Sequence, residues 1–246
     1  MSNYLIRIIS VIESERAKNQ GYEYGVQSWK NWVDKTNAEN PNSKIELLIG
    51  GVEENPQWAK YNISFGYFDQ VCSVDADTIV HPDCPNFFEI APNSLRAVLN
   101  FGSIEWICRS TEVYGRAFFD RVCYKQPPLG VYVNSGFLVF PKKFEPLLKE
   151  FNELATNNLE ELAGIAKKYG VGYDQTPLNY FLFNSCRGFP IEYLPWQFNA
   201  QDLTRRRFFD YGMPDIAHIY HLNAGVKPLP ATRMKELYDR FWRPER

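Results

Sequence analysis

The sequence predicts an α/β protein with a mostly parallel central sheet flanked by helices. Three observations predict it. Strand-like and helix-like stretches alternate through the first third of the chain, the third strand runs into Asp75-Ala76-Asp77, and 246 residues suffice for one domain of the larger α/β kind with a substantial core. A strand-helix-strand-helix-strand order gives parallel strands joined by right-handed crossovers. Ligands then bind beyond the carboxyl ends of the strands, and Asp75 and Asp77 stand at such an end.

The elements follow in order. Leu5 to Ile12 is rich in β-branched residues and reads as a buried strand. Tyr22, Val26, Trp29 and Val33 recur at helical spacing and give the next segment one apolar face. Ile45 to Ile49 is a second strand closed by Gly50-Gly51, Gln57 to Phe68 a second helix, and Val71 to Val74 the third strand. Leu95 to Leu99 and Val131 to Phe140 read as strands, with an irregular stretch carrying Pro127-Pro128 between them. Lys142 to Lys168 is helical with a break near Asn157-Asn158, Asp174 to Phe183 begins another helix, His218 to Tyr220 is a short strand and Met234 to Trp242 a closing helix. No linker, repeat or low-complexity tract divides the chain.

Composition narrows the function classes. Hydrophobic residues at 45% and charged residues at 23% belong to an ordinary globular chain. Aromatics reach 16%, which fills cores more often than it lines sugar or base sites. A net charge of -2 excludes the global basic field that drives nucleic-acid binding. The five cysteines are odd in number and none forms a C-x-x-C pair, so free thiols in a reducing compartment are expected. Arg7 interrupts the apolar N-terminal stretch, so that stretch reads as a strand and not a signal peptide; no apolar run can span a bilayer, and the expected location is cytoplasmic.

Four short segments carry chemistry. Two carboxylates on alternate residues, Asp75 and Asp77, can project toward one ion, and hard oxygen ligands suit Mg²⁺ or Mn²⁺ bridging a diphosphate. A D-x-D arises by chance in about half of sequences with this aspartate content, so position after a buried strand is what gives it meaning. Asn134-Ser135-Gly136 opens a strand with an amide, a hydroxyl and a bare backbone, and Gly136 permits close approach; alone it is a strand start with turn residues. Asp174-Gln175 opens a helix, where Asp174 alone would be an N-cap. His221 and Lys227 lie in His218-Ile219-Tyr220-His221-Leu222-Asn223-Ala224-Gly225-Val226-Lys227-Pro228, where a lone histidine would be structural and a lone lysine solvated.

Together, in this order, the four segments resemble the family 8 glycosyltransferases, retaining enzymes of the GT-A fold that include glycogenin-like and lipopolysaccharide glycosyltransferases. The resemblance runs from about Lys60 to Pro228. It implies that Asp75, Asp77 and His221 hold Mn²⁺ (or Mg²⁺), and that Asp174 and Gln175 lie at the reacting sugar carbon. It further implies that Lys60, Asp75, Ala76, Asn134, Ser135, Gly136, Asn223 and Lys227 bind the donor, with UDP the usual nucleotide. Residues 1–80 would form the nucleotide-binding half of a single domain, ending in the D-x-D loop, and 81–246 the acceptor-side half.

Two departures accompany the match. The family's glycine before Lys227 falls at Ala224, with Gly225 next to it, and the base-contacting residues of the first strand have no clear counterpart among Ser10, Val11 and Glu13. Lys60 is also readable as an exposed helix charge.

The expected activity is metal-dependent transfer of a hexose from a nucleotide-diphosphate sugar, with retention, to a glycan, lipopolysaccharide, protein or modified DNA. Three alternatives stand beside it. A nucleotide-sugar-binding protein without activity is opposed by the intact Asp75, Asp77, His221 and Asp174. A nucleotidyltransferase would carry a Gly-rich basic loop, which Glu13 to Gly21 does not supply. Arg205-Arg206-Arg207-Phe208-Phe209 could meet a nucleic acid or another anionic acceptor, with a solvated loop as the blander reading.

Overall fold

A computed structural model describes residues 2–9, 20–50, 55–186, 188–201, 216–223 and 231–243. Nine strands are described: β1 (Ser2–Ile9), β2 (Ser43–Gly50), β3 (Gln70–Asp75), β4 (Thr78–Val80), β5 (Leu95–Leu99), β6 (Val133–Pro141), β7 (Ile191–Leu194), β8 (Ala200–Gln201) and β9 (Ile219–His221). The α-helices are α1 (Tyr22–Glu39), α2 (Pro56–Ala59), α3 (Ile104–Ala117), α4 (Glu145–Asn157), α5 (Leu159–Tyr169), α6 (Gln175–Ser185) and α7 (Ala231–Trp242).

Six strands form the central sheet in the order β2-β1-β3-β6-β5-β7. β1 pairs parallel with β2 and β3, β5 pairs parallel with β7, and β6 runs antiparallel to both of its neighbours, so five strands share one direction. The reversal of β6 matters for the site: its first residues lie at the same edge of the sheet as the carboxyl end of β3. Val74 pairs with Phe137, which sets Asp75 beside Gly136. A second, three-stranded sheet, β4-β9-β8, hangs from that edge.

Both faces of the central sheet are covered, which is why its strands read as continuous apolar runs. Val71, Leu138 and Phe140 point into one core with Phe151, Leu162 and Phe181 of α4, α5 and α6. The alternate residues Cys72, Val74, Phe137 and Val139 point into the other with Trp29 and Trp32 of α1. Alternation of this kind is what the pleat requires. Both tryptophans are fully buried and each indole finds an acceptor: Trp29 Nε1 donates to Thr78 Oγ1 at 2.9 Å, and Trp32 Nε1 to the Cys84 carbonyl at 2.9 Å. Gly25 lets α1 press on the turn after β3, since a Cβ there would lie 2.5 Å from the Ala76 carbonyl oxygen. The aromatic helix face thus serves as the bed of the D-x-D turn.

The structure differs from the sequence expectation in several places, among them the strands β4, β7 and β8, which were not expected. Only Pro56–Ala59 of the expected helix at 57–68 forms. The chain then turns: the Ala59 carbonyl accepts from the Asn62 amide at 3.1 Å and from the Arg7 guanidinium, and the Asn62 carbonyl accepts from Arg7 as well. Residues 104–117, expected to be irregular, form α3. Its buried face carries Ile107 and Tyr114 but also Ser110, Thr111 and Gly115, so the apolar stripe that marks a helix is diluted there. Ser103 caps it, accepting from the Trp106 amide at 3.2 Å. The first strand is described as 2–9, with 10–19, and so Ser10, Val11 and Glu13, outside the described residues. The other expected elements are found, including the break between α4 and α5 at Asn158.

No helix among the described residues is long and apolar enough to cross a membrane. All five cysteines are free thiols.

Candidate active site

Three segments far apart in sequence meet at the edge where β3 ends and β6 begins. The first is the turn from β3 to β4. Asp75 closes β3, the Thr78 hydroxyl donates back to the Asp75 carbonyl at 2.7 Å, and Asp77 is held between them. β4 then pairs antiparallel with β9, with Thr78 opposite His221. The Leu222 amide donates to the Asp77 carbonyl at 2.7 Å and completes the junction. Strand register therefore delivers His221 to the two aspartates across 144 residues of chain.

One ligand atom from each of Asp75, Asp77 and His221 lies within 4.8 Å of the others. His221 Nε2 is 3.8 Å from Asp75 Oδ2 and 3.2 Å from Asp77 Oδ1. The shorter approach lacks the alignment of a hydrogen bond, and Asp77 Oδ1 is a buried oxygen with no hydrogen-bond partner among the described residues. A buried acceptor left in this way is expensive unless something else satisfies it. Two hard carboxylates and an imidazole nitrogen are a donor set for Mn²⁺ or Mg²⁺. Charge agrees: Asp75, Asp77 and Asp174 set three carboxylates against the single ammonium of Lys60, so two negative charges remain for one divalent cation.

Lys60 is buried, not an exposed helix charge, and it stands just past the end of α2. Its ammonium lies 3.1 Å from Asp75 Oδ1, 2.9 Å from Asp174 Oδ2, and donates to the Ser135 carbonyl at 3.1 Å and the Ser135 hydroxyl at 3.2 Å. Burial opposes its charge, but Asp174 and Asp75 outweigh burial and hold the ammonium protonated well above its ordinary range. Burial also raises the Asp75 carboxyl; Lys60 pulls against that, Asp77 adds to it, and the net shift is upward. For His221, burial alone would depress the imidazole, and the carboxylates of Asp77 and Asp75 reverse the direction and raise it.

Asp174 occupies the N-cap position of α6 without making a cap hydrogen bond. Its Oδ2 instead accepts from the Tyr61 hydroxyl at 2.6 Å, beside Lys60. Burial and the neighbouring carboxylate push the Tyr61 hydroxyl up, so it remains a donor. The start of α6 is fastened to the start of β6 by three contacts. The Ser135 amide donates to Gln175 Oε1 at 3.2 Å, the Asn179 amide group brackets the Val133 backbone at 2.7 and 2.9 Å, and Tyr132 and Thr176 hydroxyls meet at 2.7 Å.

Asn134 lies one residue into β6 with its amide group engaged. Oδ1 accepts from the Gly136 amide and from Asn199 Nδ2, both at 2.8 Å, and Nδ2 donates to Asn100 Oδ1 at 3.3 Å. Gly136 was expected to admit a ligand; the group pressing on it is the His221 ring, since a Cβ there would lie 2.2 Å from Cε1 of the imidazole. Ala76 is buried in the turn, and Asn223 is partly buried just past β9.

The structure therefore brings together Lys60, Asp75, Asp77, Asn134, Ser135, Gly136, Asp174, Gln175 and His221. Lys227, Ala224, Gly225 and the Arg205–Phe209 cluster lie outside the described residues. Sequence reasoning missed Tyr61 and Asn199. The only local signal for Tyr61 is its place next to Lys60, and for Asn199 its place just before β8, the partner of His221's strand.

No protein-family model matches the sequence, and no curated protein matches it. Solved structures do match its fold. A glycosyltransferase involved in the glycosylation of the major capsid of PBCV-1 aligns over 98% of this chain and 100% of its own, at 10% identity and a TM-score of 0.56. The apo form of glycosyltransferase GlyE of Streptococcus pneumoniae TIGR4 aligns over 98% of this chain and 60% of its own, at 16% identity and a TM-score of 0.54. Mouse xyloside xylosyltransferase 1 aligns over 94% and 100%, at 12% identity and a TM-score of 0.51. At such identities the likeness is one of architecture, and the architecture of this chain is the GT-A glycosyltransferase fold.

Proposed function

We propose that the chain is a metal-dependent, retaining glycosyltransferase of family 8 that moves a hexose from a UDP-sugar to an acceptor nucleophile. The observation that carries this reading is the convergence of Asp75, Asp77 and His221 around an unsatisfied buried oxygen, beside Asp174 and within a GT-A fold. The three side chains would hold Mn²⁺ or Mg²⁺, which when bound supplies Lewis-acid stabilisation to the departing diphosphate.

The protein's own groups do the rest. Lys60 holds Asp75 and Asp174 at fixed separation, so the ion ligands and the donor-side carboxylate move as one body. The described contacts of Asp174 fall on Oδ2, and Oδ1 would stabilise the electron-poor anomeric carbon as the glycosidic bond breaks. Gln175 and the strand opening Asn134-Ser135-Gly136 would position the donor sugar, Ala76 and Asn223 the nucleotide, and Lys227 the diphosphate.

The test is release of nucleoside diphosphate from a panel of nucleotide sugars, with Mn²⁺ and with chelator, on wild type and Asp77→Ala. Metal-dependent turnover of one donor that vanishes in Asp77→Ala is expected. Turnover of none would leave a nucleotide-sugar-binding protein as the better account, and turnover indifferent to Asp77 would overturn the assignment of the metal site.

A further inference from the structure

The hydrogen bonds behind His221 determine which of its two nitrogens carries the proton. The Gly136 backbone amide can only donate, so the Asn134 atom it meets at 2.8 Å is an oxygen. The Asn199 atom at 2.8 Å from that same oxygen must then be the amide nitrogen. The other end of the Asn199 amide is therefore an oxygen, and it lies 3.0 Å from His221 Nδ1. An oxygen acceptor requires Nδ1–H, which leaves the lone pair of a neutral imidazole on Nε2, the nitrogen that faces Asp75 and Asp77. Every member of the chain is buried, Asn199 completely. Gly136 lies against the imidazole edge, since a Cβ there would stand 2.2 Å from Cε1 and 2.7 Å from Nδ1.

We propose that Asn199 is a positioning residue that sets the affinity of the site for its divalent cation. It does so by locking His221 in the Nδ1–H tautomer through a relay anchored on the Gly136 backbone. This rests on the reading of Asp75, Asp77 and His221 as a metal site. A partner of this kind fixes both the tautomer and the ring orientation of a metal-binding histidine, and its loss typically lowers affinity 10- to 100-fold. Asn199→Leu keeps the volume and the buried setting while removing the acceptor.

Two measurements test it. Nitrogen-15 chemical shifts of the histidine side chains report the tautomer of metal-free wild type, at a pH where the imidazole is neutral; the chain has three histidines, so the signals are assignable by substitution. The expected result is Nδ1 protonated and Nε2 bare at His221. Mn²⁺ binding, followed by the electron paramagnetic resonance of the free ion in the presence of UDP, should weaken about 10- to 100-fold in Asn199→Leu, with the secondary structure unchanged. Nε2–H in the wild type, or Asn199→Leu binding within about twofold of wild type, overturns the proposal, and the wild-type spectrum decides even where the variant fails to fold. Asp77→Ala separates the two levels. If it too binds Mn²⁺ like wild type, the metal site itself is wrong; if it loses binding while Asn199→Leu keeps it, only the relay is.

Discussion

Asp77 and Asp174 are both carboxylates within one ionic network, and they are built in opposite ways. Asp174 is finished: Tyr61 and Lys60 converge on Oδ2, and the residue is 7% exposed. Asp77 is unfinished: its Oδ1 is buried, crowded by His221 and without a hydrogen bond. The difference separates two ways of holding a carboxylate. A carboxylate whose partners are supplied by the fold contributes to the fold and presents a fixed charge. A carboxylate left unsatisfied by the fold waits for a ligand, and the folded state gains little from it until the ligand arrives.

That contrast predicts where substitutions are felt. The largest effect on stability belongs to Lys60→Met, which strands Asp174 and Asp75 without their counter-charge. It should destabilise by about 3–5 kcal/mol, read from urea unfolding, and should abolish activity. Next comes Tyr61→Phe, which removes one donor to a charged acceptor and should lower stability by roughly 1.5–3 kcal/mol while the metal affinity stays near wild type. Gly136→Ala drives a methyl into the imidazole. It should displace His221, weaken Mn²⁺ binding and destabilise by about 1–3 kcal/mol through overpacking.

The smallest stability effect is predicted for Asp77→Asn in the metal-free protein, within about 1 kcal/mol at pH 9. The pH matters because Asp77 and Asp75 raise His221 above its ordinary 6.5. Their attraction for the imidazolium adds stability that is complete below 6.5 and is lost as pH rises through the raised value, so Asp77→Asn should be more harmful at pH 6 than at pH 9. If Asp77→Asn proved as destabilising as Lys60→Met at pH 9, the contrast between finished and unfinished carboxylates would be wrong.

Legibility in the sequence follows the same physics. The central strands were readable because both faces of the sheet are buried and most of their residues are apolar, as over residues 137–140 of β6. α3 was harder to read, because Ser110, Thr111 and Gly115 interleave with Ile107 and Tyr114 on its buried face and dilute the apolar stripe. The short helix at Pro56–Ala59 was overextended because its continuation is interrupted by a tertiary contact, the Arg7 guanidinium, which no local pattern announces. At the site, Asp75 and Asp77 were suggested by their spacing at a strand's end, whereas Asp174 and His221 were singled out only by the family resemblance that the order of the segments carries. Tyr61 and Asn199 were not legible, since their roles exist only through partners 113 and 65 residues away.

The account stands most directly on whether the unfinished carboxylate binds a cation with a nucleotide. The decisive measurement is the melting temperature of wild type and Asp77→Asn with UDP alone, Mn²⁺ alone and both together. At about a hundred times the dissociation constant, linkage adds about 2.7 kcal/mol. For a chain of this size that is a rise of roughly 5–10 °C. The account predicts this rise for wild type with Mn²⁺ and UDP together, and none for Asp77→Asn. A wild type unmoved by every combination, or an Asp77→Asn that rises as far, would contradict it.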